Sequence, residues 1–148
     1  MVIWSNLTKR RLHMPSLETI NSDIVSLGSD VHVDTSTPDI FFFRGAERRM
    51  PFATMVTRDT EFDSLSRLDG DRAFRLNVAL DRDTFGALFP DHTSRSALAA
   101  ADFDYAARDE LLPHPVYGRM HWVCAVSPEN VYSECRVLLR KAYELAHR

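Results

Sequence analysis

The chain has 148 residues, 45% of them hydrophobic and 26% charged, with a formal net charge of -3. That profile fits one globular domain burying roughly two thirds of its unfolded surface, and it argues against a disordered or membrane-embedded chain. The mild acidity also speaks against a general nucleic-acid binder, whose affinity comes from Lys and Arg displacing counterions from phosphates.

At the amino end, MVIWSNLTKRRLHMP carries no sustained apolar run around Lys9, Arg10 and Arg11, and no later segment approaches the span of a membrane helix. The expected address is the cytoplasm, with no membrane partner. Residues 1–13 lack a clear period and read as a disordered extension, with translation expected to begin at Met14. Residues 14–148 read as a single α+β domain.

From Ser16, the spacing of Leu17, Ile20, Ile24 and Leu27 predicts a helix with one apolar face, capped by Ser16 and stopped by Gly28. The period then changes. Val31–Thr35 and Asp39–Arg44 flank a Ser-Thr-Pro turn and read as strands, the second carrying the aromatic run Phe41–Phe43, and Phe52–Thr57 fits another. In the next strand Phe74, Leu76, Val78 and Leu80 point towards a core, while Arg75, Asn77 and Ala79 point to a semi-polar rear face.

A short helix is expected after Asp81 or Asp83, through Phe85 and Leu88 to Pro90. A loop or frayed helix follows over Asp91–Ala101, then a short helix over Asp104–Leu112, ended by Pro113 and Pro115. His121–Val126 reads as a strand with Trp122, Cys124 and Val126 on one side and His121, Val123 and Ala125 on the other. Ser127, Pro128 and Glu129 read as the cap, first position and acidic first turn of the strongest helix. There Val131, Cys135, Leu138, Ala142 and Leu145 form a stripe, widened by Leu139 and Tyr143. The two long helices are expected to cover one face of a mostly antiparallel sheet of four to five strands, with Trp122 and Phe74 beneath them.

Few residues carry recognisable chemistry. Asp59, Glu61 and Asp63 alternate like the start of a calcium loop, but Ser64 stands where the turn needs glycine and Gly70 where the loop needs glutamate. A solvated connection is expected instead. Cys124 and Cys135 lack zinc spacing and read as small buried thiols, and His114 reads as a hydrogen-bonded structural residue. There is no GxSxG elbow and no glycine-rich phosphate cradle, so no catalytic residue, cofactor or metal is assigned.

The leading expectation is a non-enzymatic cytoplasmic binding or interaction domain. Its ligand or partner groove is expected to draw on Arg75, Asn77, His114, Tyr117, Arg119 and His121. Arg48 and Arg49, or Arg136, Arg140 and Lys141, supply an alternative nucleic-acid surface, disfavoured by the net charge. A small enzyme with a pocket near Pro113–Tyr117 is a third reading. Exposed aromatic residues on the rear face would favour a homodimer.

Three stretches carry a family resemblance. Met-Pro-Phe-Ala-Thr-Met-Val-Thr at Met50–Thr57, Phe-Arg-Leu-Asn-Val-Ala-Leu at Phe74–Leu80, and Leu-Leu-Pro-His-Pro-Val-Tyr followed by Trp-Val-Cys resemble a bacterial family, domain of unknown function 6194. More distantly, the order of elements looks like that of the YjbR/MmcQ-like proteins. That resemblance implies a two-layer α+β fold of the α-β3-α-β2-α kind and a DNA-binding label, and it implies no catalytic residues.

Overall fold

The computed structural model describes residues 15–46, 50–71 and 73–146. The expectations for the extension 1–13, the start at Met14 and the Arg48–Arg49 cluster fall outside the described residues, as do His147 and Arg148.

Helix α1 (Leu17–Val25) begins where Ser16 Oγ accepts the Thr19 N–H at 3.1 Å. Ile20 and Ile24, one turn apart, are its fully buried residues. Strands β1 (Val31–Asp34), β2 (Ile40–Arg44) and β3 (Ala53–Val56) follow as a meander. A long connection containing the short helix α2 (Leu68–Asp71) leads to β4 (Arg75–Ala79). Helices α3 (Arg82–Leu88) and α4 (Arg95–Ala100) precede β5 (Leu111–Pro113) and β6 (Trp122–Val126), and the chain closes with α5 (Tyr132–Leu145). The strands form one antiparallel sheet in the order β1-β2-β3-β4-β6-β5, so the α+β class holds with six strands rather than four to five.

Register fixes what each face carries. Leu76 pairs with Met55 and Ala125, and Val78 with Ala53 and Val123, placing all six on the front face. They form the main core with Ile20 and Ile24 of α1 and Tyr132, Cys135, Leu138, Leu139 and Ala142 of α5. Each wholly buried Ile, Leu, Val or Met among them contributes about 1.5–3 kcal/mol through removal from water. Phe74 packs against the same core, as its alternation predicts.

Trp122 does not. Asn77 pairs with Cys124 and Ala79 with Trp122, so Trp122, Cys124 and Val126 share the rear face with Arg75 and Asn77, away from the two long helices. Both sides of the β6 sequence are apolar, so alternation alone could not say which side meets the helices. The rear face is not semi-polar surface either. Arg75 and Asn77 are buried, covered by the β3–β4 connection and by the segment after β5.

Two local expectations change. The helix expected over Asp104–Leu112 is absent; turns lead instead into β5, whose Leu112 pairs with Cys124. Pro113 ends this edge strand, where a missing N–H is tolerated. The final helix starts at Tyr132 rather than after Ser127, with no side-chain cap from its own first residue. Asp109 instead fastens the turn that leads into it from across the chain, its Oδ1 accepting the N–H groups of Glu129 at 2.7 Å and Val131 at 3.0 Å. Around Asp91–Ala101 the frayed-helix alternative is realised as α4, capped by Ser94.

Candidate ligand-binding groove

The β3–β4 connection is pinned by its own acids. Asp59 accepts the N–H of Leu68 at 2.8 Å and of Asp69 at 3.3 Å, capping α2, while Asp69 Oδ1 takes the Asp59 N–H at 3.1 Å. Asp63 is drawn to the sheet, where both carboxylate oxygens bond Arg75, at 2.9 Å for Nη1. The acids expected to solvate a loop thus fasten it over the rear face.

Arg75, the first residue of β4, is 1% exposed, and its five N–H groups are almost fully engaged. Nε donates to Asn77 Oδ1 at 2.7 Å, Nη1 donates to Asp63 and to Ser66 Oγ, and Nη2 donates to Asp63 and faces His114 Nε2 at 3.1 Å. Asn77 in turn donates to Thr54 Oγ1 at 2.9 Å. Burial opposes ionisation of Asp63, but the bonds and charge of Arg75 prevail and hold it below the usual carboxylate range.

His114 follows β5 and turns its ring inward. Its Nδ1 accepts the N–H groups of Val116 and Tyr117, each at 3.0 Å, which closes the Pro-Val-Tyr turn on the imidazole. Burial first, and the charge of Arg75 second, push its pKa down to about 3, so the ring is neutral at physiological pH. The sequence reading of His114 as a hydrogen-bonded structural residue matches this geometry.

Above these polar groups lies a cavity of about 540 Å³, floored by Arg75, Asn77, His114 and Thr54 and walled by Phe41, Tyr117 and Trp122. The Trp122 ring centroid lies 6.4 Å from that of His114 and 6.5 Å from that of Tyr117. Large apolar side chains stand exposed at its rim: Phe62 is 85% exposed, and Met50, Met120 and Tyr117 are about half exposed.

Of the six groove residues expected from the sequence, four converge: Arg75, Asn77, His114 and Tyr117. Two point elsewhere. Arg119 is exposed beside a smaller cavity with Arg95 and Tyr105, and the His121 ring packs 5.7 Å from Phe85. Thr54, Asp63, Phe41 and Trp122 were not singled out, and no local signal could reveal Asp63, because its partner lies twelve residues away across the covering connection. Of the rear-face aromatic residues, Phe43 is buried and Phe41 is half-buried in the groove wall.

The remaining candidates sit apart. Arg136, Arg140 and Lys141 are exposed on α5, and the first two share a shallow depression with Asp23. Cys124 and Cys135 are free buried thiols, each pushed up to about 12, chiefly by burial. Among the described residues no cluster of three or more His, Cys, Asp or Glu side chains could hold a metal, and no helix is long and apolar enough to cross a membrane.

No curated protein and no solved structure matches the chain. A family model described as Family of unknown function (DUF6194) matches residues 15–148, from the residue before the Ser16 cap to the end. That span takes in every strand, both long helices and all the groove residues, and the chain belongs to this family of unknown function.

Proposed function

We propose that this protein is a non-enzymatic binding domain that takes a small, largely apolar molecule on the rear face of its sheet. One observation carries the reading: a concave site of about 540 Å³, aromatic in its walls, whose floor is a connected set of buried polar side chains. Small-molecule sites have this size and character, with a few fixed polar groups orienting an otherwise apolar ligand. The exposed Phe62, Met50 and Met120 at the rim extend the apolar surface that such a ligand would cover.

The chemistry of the groove favours holding over turnover. His114 is neutral at physiological pH, and its Nδ1 is already occupied by two main-chain bonds.

The test uses Trp4→Phe protein, in which Trp122 is the sole tryptophan. A library of metabolites and fragments is screened by Trp122 emission and by thermal shift. Support is a compound that changes the emission, raises Tm and binds at least about tenfold more weakly to Tyr117→Ala protein. Compounds that stabilise the protein without touching Trp122 emission, or a screen without ligands, would overturn it.

A further inference from the structure

The floor of the groove answers its own polar groups. Arg75 and Asp63 neutralise each other, Asn77 Oδ1 is taken by Arg75 Nε, and the His114 ring is held at Nδ1 by the turn and at Nε2 by Arg75 Nη2. Asp39 lines the same cavity and is not answered. Its Oδ1 is buried and has no hydrogen-bond partner. A buried acceptor left unmatched is costly, above all on a carboxylate.

This carboxylate stands close to the aromatic wall. Asp39 directly precedes β2 and lies two residues before Phe41, and both line the cavity. Phe41 pairs with Thr54, which pairs with Asn77, so Asp39 lies one step beyond that row, at the end of the groove. Two residues along a strand cover roughly 6.6–6.8 Å, a gap that a spacer of about two carbons between a ring and a polar head can span.

Among the described residues, the charged groups lining the cavity are Asp39, Arg58, Asp63 and Arg75. With Asp63 and Arg75 paired, Asp39 and Arg58 remain, and only one of them needs help: Arg58 is exposed to water, whereas Asp39 Oδ1 is not. Resting on the reading of the groove as a small-molecule site, we infer that its ligand is an arylalkylamine, whose ammonium donates to the Asp39 carboxylate while its ring lies between Phe41, Tyr117 and Trp122. An ammonium brings three donors and a charge, and aromatic walls favour a cation as well as a flat ring. A ligand carboxylate would meet Asp39 with like charge and find the Arg75 guanidinium already committed.

Three probes that share one ring system and differ in the head test this by NMR titration of the full chain: 2-(2-naphthyl)ethylamine, 2-(2-naphthyl)ethanol and 3-(2-naphthyl)propanoate. The amine is expected to bind about fivefold or more tightly than the alcohol, and the propanoate most weakly, because charge-assisted bonds and cation–π contacts are open to the amine alone. Shifts should centre on the Phe41 and Val56 main-chain amides and the Asn77 side-chain amide. Asp39→Asn, which keeps the shape and removes the charge, should bring amine and alcohol within about twofold of each other, with alcohol affinity unchanged as proof of an intact groove. A preference for the amine that survives in Asp39→Asn protein overturns the inference. Groove binding with equal affinity for amine and alcohol, or with the propanoate tightest, overturns the amine but leaves the groove standing. Absence of binding by every probe overturns the groove reading and this inference with it.

Discussion

Arg75 and Asp63 hold each other through two guanidinium nitrogens and two carboxylate oxygens, the arginine at the start of β4 and the aspartate on the connection that leads into that strand. The pair is unequal. Arg75 is 1% exposed, whereas the Asp63 side chain retains 21% of its exposure. Removing Asp63 leaves a cation that cannot reach water; removing Arg75 leaves an anion that can turn outward. Asp63→Ala is therefore expected to cost about 3–5 kcal/mol, and Arg75→Met less. Urea denaturation checks the order, and a larger loss for Arg75→Met would refute it.

Acid should weaken the fold through His114 before it does so through the carboxylates. The folded state holds this histidine near 3 against an ordinary 6.5, so the unfolded chain takes up a proton that the folded chain refuses. Its contribution is complete above about pH 6.5 and declines as pH falls towards about 3, with a slope of at most about 1.4 kcal/mol per pH unit. Asp63 and Asp109, whose folded pKa values are lowered, add their losses only below about pH 4. Urea midpoints should thus fall between pH 6.5 and 4.5 in the wild type, and His114→Asn should flatten that interval.

Asp109 tests how much a distant carboxylate contributes by holding the turn that leads into a helix. It sits at φ 55° and accepts the N–H groups of Glu129 and Val131 and the side-chain N–H of Asn130 at 2.9 Å. Asp109→Ala loses these bonds and keeps a left-handed backbone that alanine dislikes, for an expected cost of about 2 kcal/mol. Asp109→Asn retains an acceptor and tolerates the conformation, so its cost should stay under about 1 kcal/mol. Chemical denaturation of both variants checks this order, and Asp109→Gly, which loses the bonds without the strain, should fall between them.

Gly28 is fixed by a close approach. A Cβ there would stand 2.0 Å from Tyr143 Oη, the hydroxyl that donates to Asp30. The same Asp30 accepts from Arg44 Nε at 2.9 Å, and the Arg44 guanidinium lies 3.9 Å from the centre of the Tyr143 ring. Gly28→Ala must displace that ring and is expected to cost about 1–3 kcal/mol. In a Tyr143→Phe background the penalty should shrink by about 1 kcal/mol, a coupling readable from a double-mutant cycle.

The sequence made periodic elements legible and long-range partners illegible. The alternation in Phe74–Leu80 and the stripe from Val131 to Leu145 translate directly into β4 and α5, because burial on one side writes the period into the chain. Leu111–Pro113 was read as the end of a helix, since three residues are too few to show a period of two. The Ser-Pro-Glu signal after β6 suggested a local cap, yet the acceptor is Asp109, about twenty residues earlier. Arg75 and Asn77 were visible as groove candidates by parity. That they are buried was not, because their cover comes from Asp63 and His114, whose positions depend on register rather than on local pattern.

Pro113 bears on how copies of this chain can join. The His114 N–H bonds Trp122 O, so the neighbouring proline faces the outer side of β5 and offers no donor there. A strand arriving at that rim finds a broken ladder only three residues long. The opposite rim, Val31–Asp34, carries no proline, and among the described residues its neighbour in the sheet is β2. A second chain seeking to extend the sheet at β5 therefore meets no continuous ladder there.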